Sequence, residues 1–183
     1  MAELLRFTNA DLPDYFAHQI RDFIRIYWFD PFMFDLHAPA MPDEWQPVYF
    51  VLAEEEALFS QATVVTRTVE CNGHSYHGGG LGSVLTYPAF RNRGYGSQVV
   101  QAATDYLLAS DFDLALLWTD ADKAGFYARW GWEHHPTLRI TTGPKDAQEP
   151  YEVFAMSLWL SKTVKDRRQD FETHALYVGE HAW

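Results

Sequence analysis

The residues best suited to chemistry form one run, Pro88-Ala89-Phe90-Arg91-Asn92-Arg93-Gly94-Tyr95-Gly96-Ser97. Gly94 and Gly96 have no Cβ, so successive backbone N–H groups can turn toward one ligand. A helical apolar pattern starts at this point, and its N-terminus adds unpaired N–H donors and the positive end of a dipole. Arg91 and Arg93 add fixed positive charge in a chain that is otherwise acidic. This donor set suits a multiply charged anion, and a pyrophosphate fits. The same residues also read as a tight strand-to-helix connection with solvated arginines, and the run alone leaves both readings open. His134-His135 resembles a metal pair, but adjacent strand residues point to opposite faces. No metal is therefore expected.

The elements around this run follow from apolar spacing. Residues 4–7 read as a first strand. Phe16, Ile20, Phe23, Ile24 and Tyr27 share one face of a helix over residues 15–28, after Asp11 and Pro13 at its start. Residues 30–46 hold several prolines and aromatics and read as a substrate-side loop. Residues 47–53 and 57–70 predict two strands. Asn72-Gly73 predicts a tight hairpin into a fourth strand over residues 74–87. Its triple glycine, residues 78–80, predicts a bulge or a close approach by another group. Residues 94–108 predict a helix and residues 113–118 a strand buried on both faces. Residues 121–130 predict a second helix ended by Gly131. Two strands over 133–142 and 152–160 follow, then a tail over 161–183. The order predicts one α/β domain over residues 1–183, built on a mixed, mostly antiparallel sheet flanked by helices.

Arg91-x-x-Gly94-x-Gly96 resembles the Arg/Gln-x-x-Gly-x-Gly/Ala signature of the GNAT N-acetyltransferase superfamily, with Pro88 three residues ahead. Phe126-Tyr127-Ala128-Arg129-Trp130-Gly131-Trp132 is similar to that family's Tyr-x-x-x-Gly-aromatic motif. One helix and one strand separate the two motifs, as in the family. The resemblance implies the GNAT fold, in which strands four and five run parallel and splay apart. It implies acetyl-CoA as co-substrate, with pantetheine along Val84, Leu85 and Thr86 and pyrophosphate on the amides of Asn92, Arg93, Gly94, Tyr95, Gly96 and Ser97, beside Arg91. It also implies direct acyl transfer to an amine. A strand-four amide near Leu85 would steady the oxyanion, and Tyr127 would protonate the leaving thiolate. Many relatives carry a base glutamate on strand four, where Gly82 and Ser83 stand here. His77, with His74 upstream, is a candidate base because imidazole titrates near neutrality; a water relay or no dedicated base is the alternative. Asp120 either contacts pantetheine or caps the following helix. Cys71 lies far in sequence from these motifs and is not assigned a nucleophilic role.

A second resemblance, to aminoglycoside 2'-N-acetyltransferases, rests on residues 129–132, Pro136-Thr137, Thr142-Gly143-Pro144 and the terminal Trp183. It implies an acidic pocket that includes Asp43, Glu44, Glu180 and the Trp183 carboxylate. The formal net charge of −11 agrees with a cationic acceptor and argues against nucleic acid as a partner. A different small amine, a protein or peptide amine, and a non-catalytic acyl-CoA-binding regulator are the competing readings. The tail over residues 161–183 either closes its own pocket or packs on a second copy in a homodimer. No apolar run nears the roughly 18 residues of a membrane helix, so no membrane partner is expected. The single cysteine and the lack of a signal-peptide pattern predict a cytoplasmic protein.

Overall fold

The computed structural model describes residues 1–27 and 39–183. The substrate-side loop expected over residues 30–46, and the end of the first helix at Trp28, fall partly outside these. Two compact units are present, residues 1–65 with 83–103 and residues 66–82 with 104–183. Each is assembled from two separate stretches of chain, so neither is a contiguous segment.

In the first unit, strand β1 (Glu3–Thr8) pairs antiparallel with β2 (Val48–Glu54), and β2 pairs antiparallel with the first part of β3 (Ala57–Cys71). Helix α1 (Asp14–Tyr27) buries Phe16, Ile20, Phe23 and Ile24, as its spacing predicts, while Tyr27, expected on the same face, is exposed at the helix end. Gln19 ties α1 to the β2–β3 turn, since its side chain donates to Glu56 O at 2.8 Å and accepts from Leu58 N at 3.0 Å. The unit also holds the last residues of β4 (His74–Thr86) and the first part of α2 (Tyr95–Ala109), where Val99, Val100 and Ala103 are buried.

The second unit begins with the β3–β4 hairpin. Asn72 and Gly73 both take positive φ, 47° and 73°, as the Asn-Gly step requires. Strand β4 pairs in parallel with β5 (Leu114–Thr119) from Gly78↔Leu114 to Leu81↔Leu117. Strand β9 (Phe154–Trp159) pairs antiparallel with β5 and with β6 (Glu133–His134). The strand expected over residues 133–142 is two: β6 and β7 (Ile140–Thr142), with Pro136 between them. Proline lacks the N–H that a ladder needs, so the strand cannot continue through it. β7 pairs with β8 (Glu149–Pro150). The sheet is thus mixed, and helices flank it, as expected.

The tail is more structured than its polar composition indicated. It forms α4 (Lys162–Asp166), α5 (Arg168–Thr173) and β10 (Leu176–Tyr177), which pairs with both β3 and β7. Ser161 caps α4 by accepting from Val164 N at 3.2 Å. Val164, Phe171, Leu176 and Val178 join a core cluster with Val69, Leu114 and Leu116. Among the described residues, no helix is long and apolar enough to cross a membrane.

The triple glycine serves close approach rather than a bulge. An added Cβ at Gly79 would overlap Leu107, and one at Gly80 would overlap the Trp183 indole. The backbone departs from regular extension later, at Ser83, whose φ is 48°. Gly80→Ala is therefore expected to lower unfolding stability by about 1–3 kcal/mol through overpacking. Urea denaturation followed by tryptophan emission would measure this, and an unchanged midpoint and emission maximum would contradict the contact.

Candidate active site

The glycine-rich run lies wholly in the first unit. Its shape comes from two left-handed residues, Asn92 at φ 61° and Gly94 at φ 76°. Among the described residues, nothing lies within 4 Å of a Cβ built on Gly94, so the space beside this glycine is open. Helix α2 starts at once, with Gln98 N donating to Gly94 O at 3.2 Å. The Tyr95 and Gly96 amides therefore fall in its first turn, where helix geometry offers no acceptor. No acidic side chain occupies that turn. Left-handed residues, a helix N-terminus and open space form a cradle for phosphate oxygens, and the residues fit the pyrophosphate of coenzyme A.

Aromatic and cationic contacts hold the cradle in place. Phe59 lies 4.0 Å from Phe90 and 5.6 Å from Tyr95, between ring centroids. Arg91 donates from Nε to Thr86 O at 3.1 Å and from Nη2 to Tyr27 Oη at 2.6 Å. Arg91 thus fastens the loop to the end of β4. Arg93 is exposed, and its guanidinium lies 5.7 Å from the Phe90 ring centre.

The orientation of β4 next to the cradle can be read from its partners. Ser83 O accepts from Gln61 Nε2. Leu85 O accepts from Ser60 Oγ at 2.6 Å, and Tyr87 N donates to Phe59 O at 3.0 Å. These groups all turn toward β3. In a planar trans peptide the N–H points opposite to the preceding C=O, and no peptide among the described residues is cis. The N–H groups of Val84 and Thr86 therefore turn away from β3. Alternation along the strand turns the N–H of Leu85, near which the oxyanion donor is expected, toward β3. The outward main-chain donors belong to Val84 and Thr86.

In the second unit, Gly131 takes φ 84° just after α3 (Ala124–Ala128). Trp132 follows, buried, with Nε1 donating to Thr104 Oγ1 at 3.1 Å. These two residues explain the glycine-aromatic end of the second motif. Tyr127 is buried on α3 and hydrogen-bonds with the Thr119 side chain. Burial pushes its phenol up to about 12, partly opposed by the Thr119 bond and reinforced by Asp120. The group keeps its proton through the neutral range. Asp120 is exposed and pairs with Lys123, and its side chain makes no cap to the following turn.

His77 is held at the other end of β5. Its N–H donates to Asp113 Oδ2 at 2.9 Å, and its ring lies 3.6 Å from Asp111. Tyr127 bonds at Thr119, the last residue of that strand. At about 3.3 Å per residue, the strand keeps the two well apart, so His77 is not placed to share a proton path with Tyr127. His134 and His135 have separate partners, Ala155 O at 3.0 Å and Trp159 Nε1 at 2.9 Å.

The acidic residues divide between the units. Asp43 accepts from Asn9 Nδ2 at 2.5 Å, and Glu44 beside it is exposed. Glu180 is exposed, and its carbonyl accepts from Gly143 N at 3.2 Å. Arg67 donates to Val178 O at 3.3 Å and His181 O at 2.9 Å, and so fastens the tail that carries Trp183. The Trp183 ring lies 4.8 Å from Trp118, where Gly82 leaves the parallel ladder. Sequence reasoning passed over Ser60, Gln61 and Thr119. The signal for the first two was a polar pair inside an apolar β3.

A family model for the GNAT acetyltransferase domain matches residues 37–135, more than half of the chain. The chain therefore belongs to the GNAT acetyltransferases, enzymes that take an acyl group from coenzyme A. Solved structures agree in fold. The GNAT family N-acetyltransferase YhbS of Escherichia coli, in complex with CoA, is 16% identical with a TM-score of 0.63, over 99% of this chain and 92% of that one. A GNAT family acetyltransferase of Brucella melitensis, in complex with acetyl-CoA, is 16% identical with a TM-score of 0.57, over 88% and 89%. A conserved protein of Enterococcus faecalis V583 is 18% identical with a TM-score of 0.57 over 76% of this chain, which spans only 33% of it. A comparison with curated protein sequences returned no match.

Removing the Arg91 fastening should loosen the cradle. Arg91→Ala is expected to weaken coenzyme A binding about tenfold by calorimetry, since a charge-assisted hydrogen bond contributes about 1.5–3 kcal/mol. Unchanged affinity would contradict the role.

Proposed function

We propose that this protein transfers acetyl from acetyl-CoA to the amino group of a small cationic acceptor, with aminoglycosides and polyamines as the first candidates. The observation that carries the reading is the open cradle at Asn92–Gly96 beside the outward Val84 amide. The chain's formal net charge of −11 favours a cationic acceptor. Exposed Asp43 and Glu44 in the first unit, and Glu180 and the Trp183 carboxylate in the second, are each proposed as acids that meet a cationic acceptor.

Bound acetyl-CoA supplies the acetyl thioester. Val84 N–H meets the carbonyl oxygen on which charge develops, and Thr86 N–H holds the pantetheine arm. The neutral amine nitrogen bonds to the acetyl carbon as the carbon–sulfur bond breaks. Tyr127 gives its proton to the leaving sulfur, and the proton shed by the nitrogen passes to water. The absence of a strand-four carboxylate at Gly82 and Ser83, and the position of His77, favour water over a dedicated base. The proposed setting is the cytoplasm, as a single functional domain.

Thiol release from acetyl-CoA should depend on amine when aminoglycosides, polyamines and peptides are compared. Peptide-only turnover would move the reading to protein acetylation. Coenzyme A binding without turnover on any amine would favour a regulator. Tyr127→Phe is expected to lower kcat about 100-fold, within the usual range for a general acid, with coenzyme A affinity kept.

The pH dependence has a definite sign. The acid must be protonated, and its raised value of about 12 means the role is lost only as pH climbs through that value. The kcat profile should therefore show no descending limb from Tyr127 at lower pH. A limb near the ordinary phenol value of about 10, abolished in Tyr127→Phe, would contradict this.

A further inference from the structure

We infer that Gln61 is a positioning residue that aims the Val84 amide; this rests on the acyl-transfer reading above. Gln61 sits on β3 with 0% exposure. Its Nε2 donates to Ser83 O, and its Oε1 accepts from Thr63 Oγ1 at 3.0 Å. Both ends of the amide are therefore engaged. A buried amide is tolerated when it is satisfied, and here its donor end goes to a main-chain carbonyl of β4.

That carbonyl belongs to the one β4 residue in left-handed conformation, Ser83 at φ 48°. A non-glycine residue holds such a φ only where its surroundings impose it. Ser83 has no glycine's freedom, while Gly82 next to it does. The Ser83 C=O and Val84 N–H share one planar peptide. Holding the first toward β3 turns the second outward as a rigid unit. Leu85 O is held by Ser60 Oγ at 2.6 Å, and that hydroxyl also meets Thr86 Oγ1 at 2.8 Å. Ser60 fixes the next outward amide, Thr86, in the same way. Gln61 holds the peptide where the backbone takes positive φ, so its loss removes the hold at the strained position.

Thr63 is the third member. Its hydroxyl donates to Gln61 Oε1, which fixes the amide so that Nε2 and not Oε1 faces Ser83 O. Without that hydroxyl, Gln61 Oε1 loses its donor and the amide is held at its Nε2 end alone.

The test uses the full chain with Gln61→Leu, Thr63→Val and Thr63→Ser. Three quantities are measured: the kcat and KM of acetyl transfer, coenzyme A affinity by calorimetry, and the ¹H–¹⁵N spectrum of the ligand-free protein. Gln61→Leu is expected to lower kcat about 100-fold, the scale of one misplaced oxyanion donor, with coenzyme A affinity within threefold. The Val84 amide resonance should move while those of Gly94 and Gly96 stay. Thr63→Val should lose about fivefold in kcat, and the hydroxyl returned in Thr63→Ser should restore it. If Gln61→Leu fails to fold, the Thr63 pair carries the test by the same readouts. Wild-type kcat in Gln61→Leu, or in Thr63→Val with a still Val84 resonance, would overturn the assignment. So would equal losses in kcat and coenzyme A affinity with the loop resonances displaced, which mark general core damage. A wild-type chain that binds no coenzyme A would overturn the underlying reading itself, an outcome distinct from these.

Discussion

A backbone amide that leaves water must find an acceptor, and β4 turns part of its main chain away from its β3 neighbour. Its ladder with β5 ends at Leu81. Beyond that point the Ser83 and Leu85 carbonyls are drawn toward β3 by Gln61 and Ser60. The opposing N–H groups, on Val84 and Thr86, turn away from β3. A few residues on, the left-handed Asn92 and Gly94 open onto the first turn of α2. The strand edge and the helix end offer the same thing, fixed N–H donors that need no rearrangement to receive an oxygen. Such donors are effective in catalysis because they are oriented before the charge appears.

The two motifs were legible because each is set by short-range rules. Gly94 and Gly131 mark positive φ, and Asn72-Gly73 marks a turn; these needs are visible in the residue type. The parallel β4–β5 pair was implied by the family resemblance that these motifs carry. What was hidden depends on long-range contact. Nothing local says that Trp183 covers Gly80 and Gly82, or that the polar tail folds into α4, α5 and β10. The apolar residues responsible, Val164, Phe171, Leu176 and Val178, are spaced too irregularly for one element. The turn at Ser83 was missed for the opposite reason. Three consecutive glycines drew attention to residues 78–80, yet those glycines make room for Leu107 and Trp183. The strained residue is a serine, held by a side chain on another strand.

Candidate chemistry separated along the same line. Tyr127 is the buried residue of the short helix α3, and that burial holds the phenol proton. Thr119, its hydrogen-bond partner, ends β5. His77 had the right ring and the wrong end of that strand, where Asp111 and Asp113 hold it. Asp120 had the right place for a cap but pairs with Lys123 instead. Residue type proposes a role, and only the position along a strand decides whether the role is open.

The central claim is that main-chain N–H groups of β4 and the α2 N-terminus receive coenzyme A. Titration of ¹⁵N-labelled protein with coenzyme A, followed by ¹H–¹⁵N correlation spectra, tests it most directly. The account predicts saturable shifts concentrated at Val84, Thr86, Gly94, Tyr95 and Gly96. Saturable binding that left those five amides unmoved, or no binding at millimolar ligand, would contradict it.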